Sequence, residues 1–129
     1  MLKALKVTLI VFGVVEILFG LIFTFFIQEF GAMLGFDKGP DWVLYVGALL
    51  GLTLIPVSVF LIAAARDPLR HINWVKFAII WSIAGVIAGL YAVIRNYVDF
   101  SQAGMGIIWD AVVTVVLLIF YPWRKAPAN

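Results

Sequence analysis

Four helix-length apolar runs separated by short polar connections constrain this chain more than any other feature, and the first of them, Val7 to Ile27, holds one carboxylate, Glu16. A run of that length reaches across a bilayer when helical. The others span 42–65, 75–94 and 104–121, so the expectation is an all-α polytopic membrane protein: one domain, residues 1–129, folded as an antiparallel four-helix transmembrane bundle with short connections. Glu16 lies about 15 Å from either end of its run by the helical rise, near the midplane. Gly13 and Gly20, three and four positions away, let another backbone come close and turn this face toward protein rather than lipid.

Composition agrees, since 65% of residues are hydrophobic and 12% are charged, outside the range of soluble domains. The absence of cysteine excludes disulfides and thiolate metal sites, and a single histidine cannot build a His-rich site; no metal and no cofactor is expected. A net charge of +2 does not indicate nucleic acid, because the basic residues flank the apolar runs and act as topology signals. Lys3 and Lys6 before the first run look like the start of a secretory signal, but the run is too long, contains Glu16 and lacks a small-residue cleavage pattern. With the N-terminus inside, seven basic residues (Lys3, Lys6, Arg66, Arg70, Lys76, Arg124, Lys125) face the cytoplasm and two, Lys38 and Arg95, face away. Both termini are therefore expected in the cytoplasm.

Between the first two runs, Phe30, Met33, Leu34 and Phe36 give a Gly-punctuated loop an apolar side, which predicts a short interfacial helix. The second run carries a Gly47/Gly51 GxxxG pair, continued by Ser58, and a Pro56 that frees the carbonyl of Leu52; a kink is expected, with Thr53 or Ser58 compensating. Asn73 is a candidate cap for the third run, whose Ala78, Ser82, Gly85, Gly89 and Ala92 make a small-residue seam. A faint repeat aligns Phe12–Leu21 with Trp81–Leu90 and sets Glu16 against Gly85 across the bundle.

With these elements in place, the chain resembles the small four-helix membrane families grouped as DoxX-like and BphX-like. The segments that carry the resemblance are Glu16-Ile-Leu-Phe-Gly20, the exit Ala65-Arg-Asp-Pro68 with His71 and Trp74 after it, and Asp110 through Tyr121-Pro-Trp-Arg124. The resemblance implies a bacterial inner-membrane protein, some DoxX relatives being membrane subunits of quinone-linked oxidoreductases. It transfers no catalytic residue to this sequence.

An ionised carboxylate at bilayer depth costs several kcal/mol unless paired, so Glu16 leads the candidate site. It is either a proton-exchanging group or ligand anchor, or a structural carboxyl hydrogen-bonded to Ser82, Thr53 or a carbonyl freed by Pro56. Asp110, about 8 Å into the last run by the helical rise, is shallower; it either pairs with Arg95 or lines an outward-facing vestibule with Arg95 and Thr114. Trp81 and Trp109 lie deep enough to line a cavity or fill the core. Arg66, Arg70 and Lys76 suit lipid headgroups or serve as plain anchoring charges. No nucleophile elbow, phosphate loop or metal-ligand spacing is present, so the expected function is non-catalytic. The leading reading is an integral subunit or accessory protein of a bacterial inner-membrane complex, with other subunits or copies of itself as partners. The alternative is a small transporter or binding protein for a hydrophobic ligand such as a quinone or lipid, with Glu16 titrating inside the membrane.

Overall fold

The computed structural model describes residues 2–123, and among them five helices and no strand. They are α1 (Leu2–Phe25), α2 (Ile27–Met33), α3 (Asp41–Ala64), α4 (Ile72–Ile94) and α5 (Phe100–Phe120). All except α2 are long and apolar enough to cross a membrane. Their outward faces are as apolar as their inward ones, with Leu18, Ile80, Ile87 and Ile119 each more than half exposed. A helix that is hydrophobic all round suits lipid as its solvent.

The helices overrun the apolar sequence where polar residues extend them. α1 takes in the turn carrying Lys3 and Lys6, and α5 begins at Phe100, four residues before its apolar run. There Asp99 precedes the first turn, and its backbone N–H donates to Gln102 Oε1 at 2.9 Å. Asn73 is not a cap: α4 starts at Ile72 with His71 at the N-cap, so Asn73 falls within the first turn. Arg124 and Lys125, read as a stop signal for the last helix, lie outside the described residues, as do both termini.

Chain reversals follow local chemistry. After α2, Gly35 takes φ 91°, and the Phe36 N–H reaches the Gly31 carbonyl at 2.9 Å while Gly35 reaches Ala32, a Schellman closure. Asn96, φ 60°, closes α4 in the same way, with Tyr97 N–H on the Ala92 carbonyl. Within α3, Pro56 is carried in one continuous helix. The neighbouring hydroxyls do not serve Leu52: Thr53 donates to the Leu50 carbonyl and Ser58 to that of Leu54. A hydroxyl on a helix reaches the carbonyl three or four residues back, which for these two positions is not Leu52.

Packing is pairwise. α1 lies along α3 and α4 along α5, and the two pairs meet mainly through α1 with α5 and α3 with α4. Small residues bring α1 and α3 together: a Cβ at Gly20 would sit 2.8 Å from the Gly51 carbonyl oxygen, and one at Gly47 would sit 2.9 Å from that of Phe23. Gly13 lies against Ser58 and Ile62 of α3 in the same seam. In the other pair, Gly89 accepts the Ile107 side chain and Gly85 accepts the carboxyl of Asp110. The repeat-based pairing of Glu16 with Gly85 is thereby overturned, because α4 packs on α5 rather than on α1.

The core occupies one end of the molecule. Leu5, Leu9 and Phe12 of α1 interlock with Leu61 of α3, Ile72, Val75, Ala78 and Ile79 of α4, and Val113 and Leu117 of α5. These residues come from the first half of α1, the last part of α3, the first half of α4 and the second half of α5. The opposite end is hollow.

Candidate functional site

Where the core stops, a cavity of about 560 Å³ begins. Its walls come from the second half of α1 (Phe19, Phe23), from α2 (Ile27, Gln28, Phe30, Gly31), from the loop after it (Leu34, Phe36, Asp37, Gly39) and from Val43 at the start of α3. The first half of α5 supplies Gln102, Ala103, Met105, Gly106, Trp109 and Asp110. Phe19, Phe23 and Phe30 form a ring cluster with centroids 5.7–6.0 Å apart, which holds α2 against α1. Across the mouth, Gln102 Nε2 donates to the Gly35 carbonyl at 3.1 Å and ties the end of α2 to the start of α5.

Glu16 lies at the inner end. It is 8% exposed and accepts one hydrogen bond, from Trp109 Nε1 to Oε1 at 3.2 Å. Trp109 in turn rests on Phe12 of the core, ring centroids 6.3 Å apart. Among the described residues the second carboxyl oxygen of Glu16 has no protein donor, and the side chain faces the cavity. Asp110 lines the same space, close enough to Glu16 to act on it electrostatically. Glu16 is nine residues before the end of α1 and Asp110 ten after the start of α5, so both sit about 14–15 Å from those helix ends by the helical rise.

The depth of Asp110 corrects the sequence-based estimate, which counts from the apolar run and not from the polar turn that precedes it. The correction also removes its proposed partner. Arg95 lies beyond the end of α4, exposed, with its guanidinium 6.0 Å from the centroid of the Tyr97 ring. It lines no part of the cavity, so neither the Asp110–Arg95 pair nor the vestibule of Asp110, Arg95 and Thr114 is formed.

The other candidates are also placed away from Glu16. Ser82 is fully buried between α4 and α5, donates to the Ile79 carbonyl at 2.9 Å and lies 2.7 Å from Thr114 Oγ1. Thr114 is equally close to the Asp110 carbonyl oxygen, so its one proton is given to one of the two at a time. Thr53 is exposed on α3, and no Glu16 hydrogen bond reaches it, Ser82 or a carbonyl near Pro56. Arg66, Arg70 and Lys76 lie around the α3–α4 turn, at the core end of the molecule. Trp81 packs on Phe77 beside the core and does not line the cavity.

Two features escape the sequence. The Trp109 N–H meets Glu16 from a helix 93 positions away, and no local pattern signals such a contact. Gln28 lines the cavity with its Nε2 buried and without a hydrogen-bond partner among the described residues. Among these residues no group of three or more His, Asp or Glu is arranged to hold a metal ion.

Fold and site together define a class: an all-helical chain with four helices able to cross a membrane and an aromatic-walled cavity that ends on two carboxyl groups. Comparisons with protein families, curated proteins and solved structures return no match to this chain.

Proposed function

We propose that the protein is a multi-pass bacterial inner-membrane protein that binds a small hydrophobic molecule between α1, α2 and α5 and engages it through Glu16. One observation carries this reading: Glu16, a residue only 8% exposed, presents an unpaired carboxyl oxygen to an apolar cavity of about 560 Å³. Ligand sites are concave, mostly apolar and equipped with a few convergent polar groups, and intramembrane ionisable residues tend to face such spaces. The cavity makes a ligand-binding or transporting role better supported than that of a purely accessory subunit. The DoxX-like resemblance contributes no residue to the site.

Topology belongs to the same proposal. The chain forms an antiparallel four-helix bundle with both termini cytoplasmic, which the excess of basic residues at the α3–α4 turn and near the N-terminus supports. The cavity then opens in the outer half of the membrane, on the side of Lys38 and Arg95.

Gly106 offers the test, because it lines the cavity and a Cβ added there meets nothing within 4 Å. Protein extracted gently from native membranes should carry a small hydrophobic molecule detectable by mass spectrometry. The purified chain should also bind the neutral fluorescent lipophile N-phenyl-1-naphthylamine, and Gly106→Trp should abolish that binding without changing the folded size. Equal probe binding by G106W would overturn the cavity as the site. Stoichiometric companion proteins with no bound small molecule would favour the subunit reading.

A further inference from the structure

We infer that the cavity takes a lipophilic organic cation, a hydrophobic amine or quaternary onium compound, and that the cation enters in exchange for a proton held between Glu16 and Asp110. This inference rests on the ligand-binding reading above and specifies its chemistry.

Charge is the first argument. Every ionisable group lining the cavity is acidic: Glu16 from α1, Asp110 from α5 and Asp37 from the loop after α2. The wall groups from α2 and α3 are uncharged, Gln28 and Val43 among them, and no Lys, Arg or His of the described residues lines the space. Lys38, adjacent to Asp37, and Arg95 both stay outside it. An anionic lipid headgroup would meet only carboxyls and find no cation.

The walls supply the second argument. Phe19, Phe23, Phe30, Phe36 and Trp109 line the space, and aromatic rings hold onium ions. A neutral quinone has the weaker claim, because its carbonyl oxygens need donors. The Trp109 N–H is committed to Glu16 and one Gln102 amide N–H to Gly35, which leaves Gln28 Nε2, the second Gln102 N–H near the mouth and the single carboxyl proton that the cation displaces.

Third, Glu16 is 8% exposed and lines the cavity, and its second carboxyl oxygen has no protein donor among the described residues, so it is positioned where a cation would sit. Two carboxyl groups at one depth in an apolar site resist being ionised together, and a monovalent cation compensates one charge. The exchange balances: the O–H bond of one carboxyl breaks, its proton leaves for solvent, and the cation sits against the resulting carboxylate. Net charge in the cavity is unchanged.

Tetraphenylphosphonium, whose charge is permanent, is the probe for the full-length chain in mild detergent. Saturable binding is expected, at least tenfold tighter at pH 8 than at pH 5, with proton release in weakly buffered solution. Glu16→Gln should weaken binding at least tenfold and abolish its pH dependence, and should E16Q not fold, Asp110→Asn reads the same effect. Binding that ignores pH, or that survives both substitutions unchanged, overturns the proposal. If N-phenyl-1-naphthylamine binds and tetraphenylphosphonium does not, the cation inference falls while the ligand-binding reading stands; if neither binds, both fall.

Discussion

Trp109 Nε1 donates to Glu16 Oε1 at 3.2 Å, and this bond joins the α1–α3 pair to the α4–α5 pair at the boundary between core and cavity. Trp109→Phe keeps the ring on Phe12 and removes the donor. The buried carboxyl is then left with no protein partner, a loss of about 1–3 kcal/mol. Glu16→Gln retains an acceptor oxygen for the indole and should cost less. Thermal unfolding in detergent separates the two, and W109F should cost clearly less in a background carrying Glu16→Leu, where the acceptor is already gone. Equal costs of W109F in both backgrounds would mean that the bond carries no stability.

Glycine substitutions should divide by what the new methyl meets. At Gly51 it meets the backbone of Gly20 and Thr24, which cannot turn aside, so Gly51→Ala has to push α1 from α3. Overpacking of this kind costs about 1–3 kcal/mol. At Gly85 its three nearest atoms all belong to the Asp110 carboxyl group, which can rotate. Gly85→Ala should therefore leave stability nearly unchanged while it displaces the Asp110 carboxyl and weakens ligand binding. Comparing denaturation with probe affinity for the two variants checks the division, and a G51A variant as stable as wild type would contradict the close α1–α3 seam.

The hydroxyls of buried Ser82 and half-buried Thr114, 2.7 Å apart, tie α4 to α5 beneath the cavity. Hydrogen bonds between membrane helices average about 0.6 kcal/mol by double-mutant cycles. Ser82→Ala and Thr114→Val should each destabilise modestly, and the double variant should cost less than their sum by about that amount. Strict additivity would show that the two hydroxyls are served by their own helices alone.

The four long helices are legible in the sequence because each needs only a run of apolar residues, and the short α2 because Phe30 and Met33 belong to the apolar side of that Gly-punctuated segment. Glu16 stands out for the same local reason, a lone carboxylate in an apolar run. Its surroundings do not, since they depend on which helices pair. The small-residue seams on α1, α3 and α4 announce close packing without naming the partner, and the assumption that α4 faces α1 puts Gly85 opposite the wrong carboxyl. The depth of Asp110 is hidden because the polar turn Phe100–Ala103 is helical, held by Gln102, although it reads as loop. Four residues of extra helix move a group by about 6 Å, enough to separate Asp110 from Arg95 and bring it level with Glu16.

Gln102 joins two roles that one substitution can separate. Its Oε1 accepts from the Asp99 N–H at the start of α5, and its Nε2 donates to the Gly35 carbonyl across the cavity mouth. Gln102→Glu keeps an acceptor for the cap and loses the donor, whereas Gln102→Ala loses both. If the contact with Gly35 holds α2 over the cavity, both variants should speed amide hydrogen exchange in residues 27–36. Only Q102A should also loosen the first turn of α5, with an added loss of about 1 kcal/mol in global stability. Unchanged exchange in α2 with Q102E would mean that the Phe19, Phe23 and Phe30 rings alone keep that helix in place.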